Sequence, residues 1–578
     1  MIASLKNVAA ALALVGVAAD CGAEETTCDL VIYGSSPAAI TAAVEAQKHG
    51  KTAVIVSPET RIGGLTTGGL GQTDIGNKQA FGGLALQFYK DIADFYKNEA
   101  NWKYEKRGDY MPDGQCAGSL GADSMWTFEP SAALKILERW ELEHKLDIRR
   151  GERLVRMGKE KGVSSKEKGV EVQDGRIVSV RTESGNVYKG KMFVDATYEG
   201  DLMAEAGVSY IVGREANSVY GETISGIEKL ASRNHQLGQG IDPYLVPGDP
   251  KSGLLPNVEP FDPNEKDGDG DKRVQAYCFR MCLTDDPSNR IPFVKPANYD
   301  EKDYELLFRN LVSKKIDWPP WINSRMPNRK TDTNNCLGFS SDFIGRNYRW
   351  PEGSYEERAK ILKEHLDYQM GLMWTLANHP RVPEKIRKEV SQWGTCKDEF
   401  ADGLGNGWQN QLYVREARRL VGDYVMTEHH CRGDKKVTRP IGMGAYGMDS
   451  HHVRRYVGAD GFVHNEGNIE DYNRYSEFGD RKHLLDPDWR KNRFPPYSVD
   501  YGAIIPKKAE CVNLFVPVCL SASHMAFGSI RMEPVFFAMG QVAGAAAALS
   551  IDQGCAVQDL AYPELRKVLL AEGQVIER

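Results

Sequence analysis

Asp29-Leu-Val-Ile-Tyr-Gly34-Ser-Ser-Pro-Ala-Ala-Ile40 runs on through Thr41-Ala-Ala-Val-Glu-Ala46 to Thr52-Ala-Val-Ile-Val56. It reads as a buried strand, a glycine turn, an alanine-rich helix and a second buried strand, the β-α-β unit of a parallel sheet. The full turn pattern is G-x-G-x-x-G, with one glycine each for the turn, for phosphate approach and for helix packing. Here Gly34 keeps the first place, Ser36 takes the second and Ala39 the third. Ser36 suits a helix cap, Pro37 the first helical position, and Ala38 follows it. Free N–H groups and the positive dipole end at this helix start suit a dinucleotide pyrophosphate.

The next strand ends in Val56-Ser57-Pro58-Glu59, where an acid for ribose hydroxyls is expected. Ser57 offers a single hydrogen bond and Glu59 a carboxylate two residues further on. Arg61-Ile-Gly63-Gly64-Leu65-Thr-Thr-Gly-Gly-Leu-Gly71 then lets backbone run against a flat ring without Cβ clashes. Helical patterns follow at 81–98 and 130–145, and short strands alternate from Val170 to Val194 around an Asp174-Gly175 turn. The run Phe193-Val-Asp195-Ala196-Thr197 closes this block.

Residues 232–272 are rich in Pro, Gly and Asp and read as a long surface loop, with helices expected at 355–377 and 408–421. Near 511 the opening character returns. Val512 to Val518 is a buried-strand pattern, a loop carries Gly528, Ser529 and Arg531, and Pro534 to Leu549 is a small-residue helix. Gly540, Gly544 and Ala548 share one face of that helix and suit close packing. The layout predicts an α/β fold with a discontinuous nucleotide-binding domain, 24–205 plus 505–578, interrupted by an α+β insertion over 206–504.

These segments, with Gly71-Gln-Thr-Asp-Ile-Gly-Asn77, Lys330-Thr-Asp-Thr-Asn-Asn335, Leu412-Tyr-Val-Arg-Glu-Ala-Arg418 and Met448-Asp-Ser-His451, resemble a family of secreted bacterial FAD-dependent oxidoreductases. Some members carry xanthan-lyase-like labels or are compared with the flavin subunit of heterodisulfide reductase. The resemblance implies a glutathione-reductase-type, Rossmann-like FAD-binding domain and FAD as cofactor. In such proteins a Gly-Gly doublet lies against the cofactor, matched by Gly63-Gly64, and an Ala-Thr pair ends a strand beside it, matched by Ala196-Thr197. The cofactor set is then Gly34, Ser36, Pro37, Ala38, Ser57, Glu59, Arg61, Gly63, Gly64, Leu65, Ala196, Thr197, Gly528, Ser529 and Arg531. The heterodisulfide reductase comparison also implies iron–sulfur clusters, which need a cysteine density this chain lacks.

The 578 residues are 41% hydrophobic and 26% charged, an ordinary globular composition, and the net charge of −7 gives nucleic acid no electrostatic footing. Lys6 and the apolar stretch Val8 to Ala19 predict a signal peptide over 1–23, hence a secreted or periplasmic protein. No later apolar run is expected to span a bilayer. Eleven cysteines are scattered without a Cys-x-x-Cys pair, so no metal site is expected. Asp267-Gly-Asp269-Gly-Asp271 lacks the Gly and Glu that a calcium loop needs, having Lys272 and Cys278 there.

Candidate chemistry follows from residue type. His524 precedes the final cofactor segment and suits proton abstraction beside a flavin. Arg531 suits the flavin edge or a substrate carboxylate. Arg415 and Arg419, one turn apart on the expected 408–421 helix, suit an acidic substrate, and Asp449 and His451 suit the substrate pocket. The leading expectation is oxidation of a small organic substrate, such as a sugar or hydroxy acid, by hydride transfer to flavin. Its partners are that substrate and an unidentified electron acceptor. The sugar reading rests on export and on Trp318, Trp321, Trp350, Trp374, Trp393 and Trp408. Two other readings fit the residues: a non-redox flavin lyase or isomerase, and a cofactor-free carbohydrate-binding protein.

Overall fold

Leu30, Val31, Ile32 and Tyr33 are buried on both faces because their strand, β1 (Glu25–Tyr33), lies in mid-sheet. A computed structural model describes residues 23–114, 123–159, 168–472 and 494–578. The leader expected over 1–23 lies outside the described residues but for its last. Helix α1 (Pro37–Lys48) carries the chain back to β2 (Ala53–Ser57), which pairs parallel with β1 from Leu30–Ala53 to Tyr33–Val56. A four-residue turn of helix, α2 (Gly64–Thr67), then leads to α3 (Gly83–Phe95) and α4 (Pro130–Glu143). Next, β3 (Asp147–Arg150) adds parallel to β2.

The Asp174-Gly175 turn joins β4 (Val170–Gln173) to β5 (Arg176–Arg181), as its sequence predicts. Strand β6 (Val187–Asp195) is long enough to serve twice. Its first half pairs antiparallel with β5, and its whole length runs parallel to β1. The last half accepts a parallel strand from near the other end of the chain, in register Leu514–Phe193 and Phe515–Val194.

Between these halves stands a second, antiparallel sheet. It contains β7 (Met281–Thr284), β8 (Arg290–Pro292), β9 (Trp321–Met326), β10 (Lys330–Asn335) and, beyond helix α5 (Tyr355–Asn378), β11 (Gly394–Cys396). Its spatial order is β8-β11-β7-β10-β9. The main apolar core is continuous from Ile32 and Ala42 through Tyr277, Phe279 and Trp408. A second cluster gathers Leu307, Phe308, Tyr368 and Val457 from the 206–504 stretch.

The helix expected at 408–421 is absent. Residues 409–417 are irregular and β12 (Arg418–Leu420) follows. Surface ion pairing on a helix would leave one face in water, whereas Arg415, Glu416, Arg418 and Arg419 are all buried. An extended chain sends each to a separate partner: Arg415 to Asp342 at 2.7 Å, Arg418 to Asp201 at 2.8 Å and Arg419 to Glu215 at 2.7 Å. Downstream lie β13 (Met448–Ser450), its antiparallel partner β14 (Ile469–Asp471), the closing strand β15 (Leu514–Phe515), α6 (His524–Ile530) and α7 (Glu533–Gln553).

The small-residue face of α7 lies on α1 as its spacing predicts. A Cβ at Gly540 would stand 2.3 Å from the Ala38 carbonyl oxygen, and one at Gly544 2.4 Å from that of Ala42. By length and composition α7 is apolar enough to cross a membrane, but 89% of its apolar window is buried inside the protein. Burial against α1 accounts for that apolarity.

Candidate functional site

Gly34 ends β1 with φ of +129°, a conformation open to glycine, and a Cβ there would sit 2.5 Å from the backbone of Ala196. The turn therefore sits tight on the end of β6. Ser36 takes the N-cap position of α1 with Pro37 inside the first turn, but its hydroxyl is donated to the Ala196 carbonyl at 2.6 Å. The first turn of α1, including Ala38, has no side-chain cap, which leaves the helix start to an anionic ligand. Thr197 is folded onto its own turn, donating N–H and hydroxyl to Asp195 at 3.0 and 2.6 Å.

At the end of β2, Ser57 donates its hydroxyl to the Glu59 carbonyl at 2.7 Å and accepts the Glu59 N–H at 3.1 Å. Its one O–H donor is spent on its own turn. Glu59 is exposed, yet desolvation raises its carboxyl above the usual range against Arg153 and Arg358. Solvent contact together with desolvation marks a group facing a protein-walled recess.

Arg61 is engaged by protein groups. It donates to the Thr67 carbonyl at 3.0 Å and to Asp402 at 2.8 Å, and lies 5.3 Å over the Phe400 ring. These contacts make it the clamp of the glycine-rich stretch. Gly63 and Gly64 open α2 with positive φ, and the Leu65 N–H donates to the Tyr198 hydroxyl at 3.0 Å. Tyr198 in turn donates to Glu533 at 2.9 Å, and Thr66 donates to the other Glu533 oxygen at 2.7 Å. Burial pushes the Glu533 carboxyl up to about 7. Glu533 and Tyr198 escaped the sequence reading. The acid just before Pro534 at a helix start was the available signal.

Gly528 and Ser529 lie inside α6 and not on a loop. A Cβ at Gly528 would meet the Asp449 carbonyl at 2.5 Å, and Ser529 links the Tyr446 carbonyl and Tyr497 hydroxyl at 2.6 Å each. Both are occupied in seating α6 on β13.

The five candidate catalytic residues are drawn into one buried network. Asp342 accepts from Arg415 at 2.7 Å and pairs with His451 Nδ1 at 2.8 Å. His451 Nε2 lies 3.4 Å from Asp449, which accepts from Arg531 at 3.1 Å. Desolvation would raise the Asp342 and Asp449 carboxyls. The Arg415 guanidinium and the facing His451 ring for the first, and the His451 ring and Arg531 for the second, overcome it and hold both carboxyls well below the ordinary range. Gln275 ties this network to the other candidate histidine. It accepts the His451 N–H at 3.0 Å and donates to Glu416 at 2.9 Å. Asp342 and Gln275 carry no motif signal in the sequence.

His524 is spent on both sides. Its Nδ1 pairs with Glu416 at 2.8 Å and its Nε2 with the Ser450 hydroxyl at 3.0 Å. Desolvation opposes it, but His524 and Arg419 lower the Glu416 carboxyl to about 2. The expected free base at 524 is thus a buried link, and His451 is nearer the open chemistry.

A narrow gap lies between Leu65, Tyr198, Tyr413, Phe527, Phe536 and the guanidinium groups of Arg415 and Arg531. Arg415 Nη1 and Arg531 Nε are buried without a hydrogen-bond partner. Apolar and aromatic walls with two unspent N–H donors suit a flat heteroaromatic ring with a polar edge. The bare α1 start and the recessed Glu59 suit the pyrophosphate and ribose of a dinucleotide. The residues present therefore fit FAD. Of the six tryptophans of the 206–504 stretch named above, Trp350 and Trp408 are buried in the core and Trp318 is exposed.

The family model described as FAD dependent oxidoreductase matches residues 29–569. The chain belongs to this family. FAD is the cofactor that membership of this family brings, and the core described above is a largely parallel sheet. No curated protein matches the chain. Among solved structures, bacillithiol disulfide reductase from Staphylococcus aureus aligns at 13% identity over 30% of this chain and 38% of that one, with a TM-score of 0.18. A flavin-containing monooxygenase from Stenotrophomonas maltophilia aligns at 15% over 35% and 44%, TM-score 0.19. OxyS anhydrotetracycline hydroxylase from Streptomyces rimosus aligns at 13% over 39% and 40%, TM-score 0.22. The chain spans less than half the length of each.

Proposed function

We propose that this flavoprotein oxidises a small organic substrate, a sugar, hydroxy acid or related compound, at a C–H bond beside a hydroxyl or amine. His451 is the base. The observation that carries this reading is the Asp342–His451–Asp449 array beside the Arg415–Arg531 space, with Nδ1 fixed at 2.8 Å by Asp342. Asp342 orients the ring, and the two flanking carboxylates stabilise the positive charge gained when Nε2 accepts a substrate proton. Bound FAD supplies the two-electron acceptor. Arg415 and Arg531 hold an anionic or carbonyl oxygen with their unspent N–H groups and fix its orientation. Tyr413, stacked 4.1 Å under Arg415 and hydrogen-bonded to Arg531 at 3.1 Å, keeps the two cations apart. Ser450, His524 and Glu416 form a supporting relay behind β13.

On this reading Gly34, the α1 start and Glu59 hold the nucleotide half. The 206–504 insertion covers the site and selects the substrate, and a diffusible acceptor reoxidises the cofactor. The leader supports an exported protein. The test is anaerobic addition of sugars, hydroxy acids and amines to the purified protein while flavin absorbance is followed. At least one class bleaches it, and His451→Asn slows bleaching about 10²–10⁴-fold with FAD retained. A protein that stays colourless after incubation with FAD overturns the assignment. Unchanged bleaching in His451→Asn overturns the base alone.

A further inference from the structure

Cys282 on β7 and Cys396 on β11 bring their sulfurs to 3.7 Å, the only sulfur–sulfur contact among the described cysteines. The register explains it. Gly394 pairs with Thr284 and Thr395 with Leu283, so the next step along the antiparallel ladder sets Cys396 opposite Cys282. Both side chains are buried, in a small cluster with Met326 and Phe400. We propose that Cys282 and Cys396 are a disulfide site, closed by a disulfide oxidant in the compartment where the protein folds.

The chemistry is two exchanges. One cysteine thiolate attacks an external disulfide RSSR, forming a mixed disulfide and releasing RS⁻. The second thiolate then attacks the protein-bound sulfur and releases the other RS⁻. Each thiolate has given up its proton, and the two released thiolates take up the pair, so two thiols and RSSR become one cystine and two RSH. Closing the bond must bring sulfurs 3.7 Å apart to bonding distance, and the facing register sets the two side chains toward one another for that step. Burial holds the Cys282 thiol well above its ordinary range, so exchange belongs to the folding chain, before the sheet closes over it.

The link would back the glycine-rich stretch. Phe400, in the same cluster, carries the Arg61 guanidinium on its ring, and Met326 fills the space a Cβ would take at Gly71. A staple between β7 and β11 therefore fixes the floor under 61–71, and it joins two points far apart in sequence, where a cross-link restrains the unfolded chain most.

The experiment refolds the full-length protein in a reduced/oxidised glutathione buffer, blocks free thiols under denaturing conditions and maps peptides by mass spectrometry. The expected result is one cross-linked peptide pair, Cys282 with Cys396, lighter than the dithiol by two hydrogens, with Cys278, Cys431, Cys511 and Cys519 alkylated. Adding a phosphine reductant during refolding should then lower Tm by a few degrees. Cys282→Ala/Cys396→Ala, which keeps the site apolar, should show no reductant effect. Alkylation of both cysteines at every glutathione ratio overturns the proposal, as does linkage of other cysteines with this pair left free. A Tm in the double variant that responds to reductant as the wild type does also overturns it.

Discussion

Ser57 and Glu59 stand two residues apart at the end of β2, and their side chains have opposite fates. The Ser57 hydroxyl closes its own turn through donor and acceptor bonds to Glu59 backbone, so its one proton is spent and it has no hydrogen to donate to a ribose. The Glu59 carboxylate faces the recess. Glu59→Gln should weaken FAD binding about tenfold, the loss of one charge-assisted hydrogen bond, and Ser57→Ala should leave it within about twofold. Titration of the deflavinated protein with FAD, followed by flavin fluorescence, measures both. Equal losses in the two variants would return the ribose to Ser57. The same logic separates the histidines. His524 is held by Glu416 and Ser450, so His524→Asn should cost stability and perturb the site through Ser450, whereas His451→Asn should remove the proton acceptor itself. Residue types were readable here, and their partners were not. Asp342 and Gln275, which orient His451, lie far from it in the chain and carry no spacing signal.

Among the elements, α7 governs how closely the nucleotide unit can pack. Gly540 and Gly544 leave no room for a Cβ against α1, so Gly540→Ala should destabilise the protein by about 1–3 kcal/mol through overpacking. Denaturant unfolding gives the value, and a loss of FAD affinity should accompany it because α1 carries the pyrophosphate end. The first residue of α7 sets a pH dependence. Burial raises Glu533 from 4.5 to about 7, so the folded protein keeps a proton there that the unfolded chain has lost. Stability from this group is full below pH 4.5 and falls as pH rises to about 7, by on the order of 3 kcal/mol in the limit. Glu533→Gln mimics the protonated acid at Tyr198 and Thr66. Its Tm should therefore exceed that of the wild type at pH 8 and match it near pH 4.5. A Tm difference independent of pH would mean that Glu533 is ionised throughout. Periodicity revealed α7 because its face is simple, and misread 408–421 because burying four ionisable side chains leaves no amphipathic trace.

Over the whole molecule, the parallel sheet is assembled from both ends of the chain. Strands β1, β2, β3 and β6 come from the first part, while β15 and α7 come from the last. That closure was legible because β15 and α7 keep the apolar and small-residue character of β1 and α1. What lies between them was legible only in outline, since its order comes from long-range ion pairs such as Arg358–Asp201 and Arg214–Glu466 and not from repeating pattern. A chain ended at residue 504 would leave the Phe193–Val194 edge of β6 unpaired and the Ala38–Ala42 face of α1 uncovered. It should therefore aggregate and hold no FAD, although every residue assigned to pyrophosphate and ribose is present. Because the missing contacts are non-covalent in the described structure, co-expressing residues 505–578 as a separate chain should restore both solubility and bound flavin. Flavin content after gel filtration decides between the outcomes. FAD bound by 24–504 alone would show that the nucleotide site is complete without its closing strand and helix.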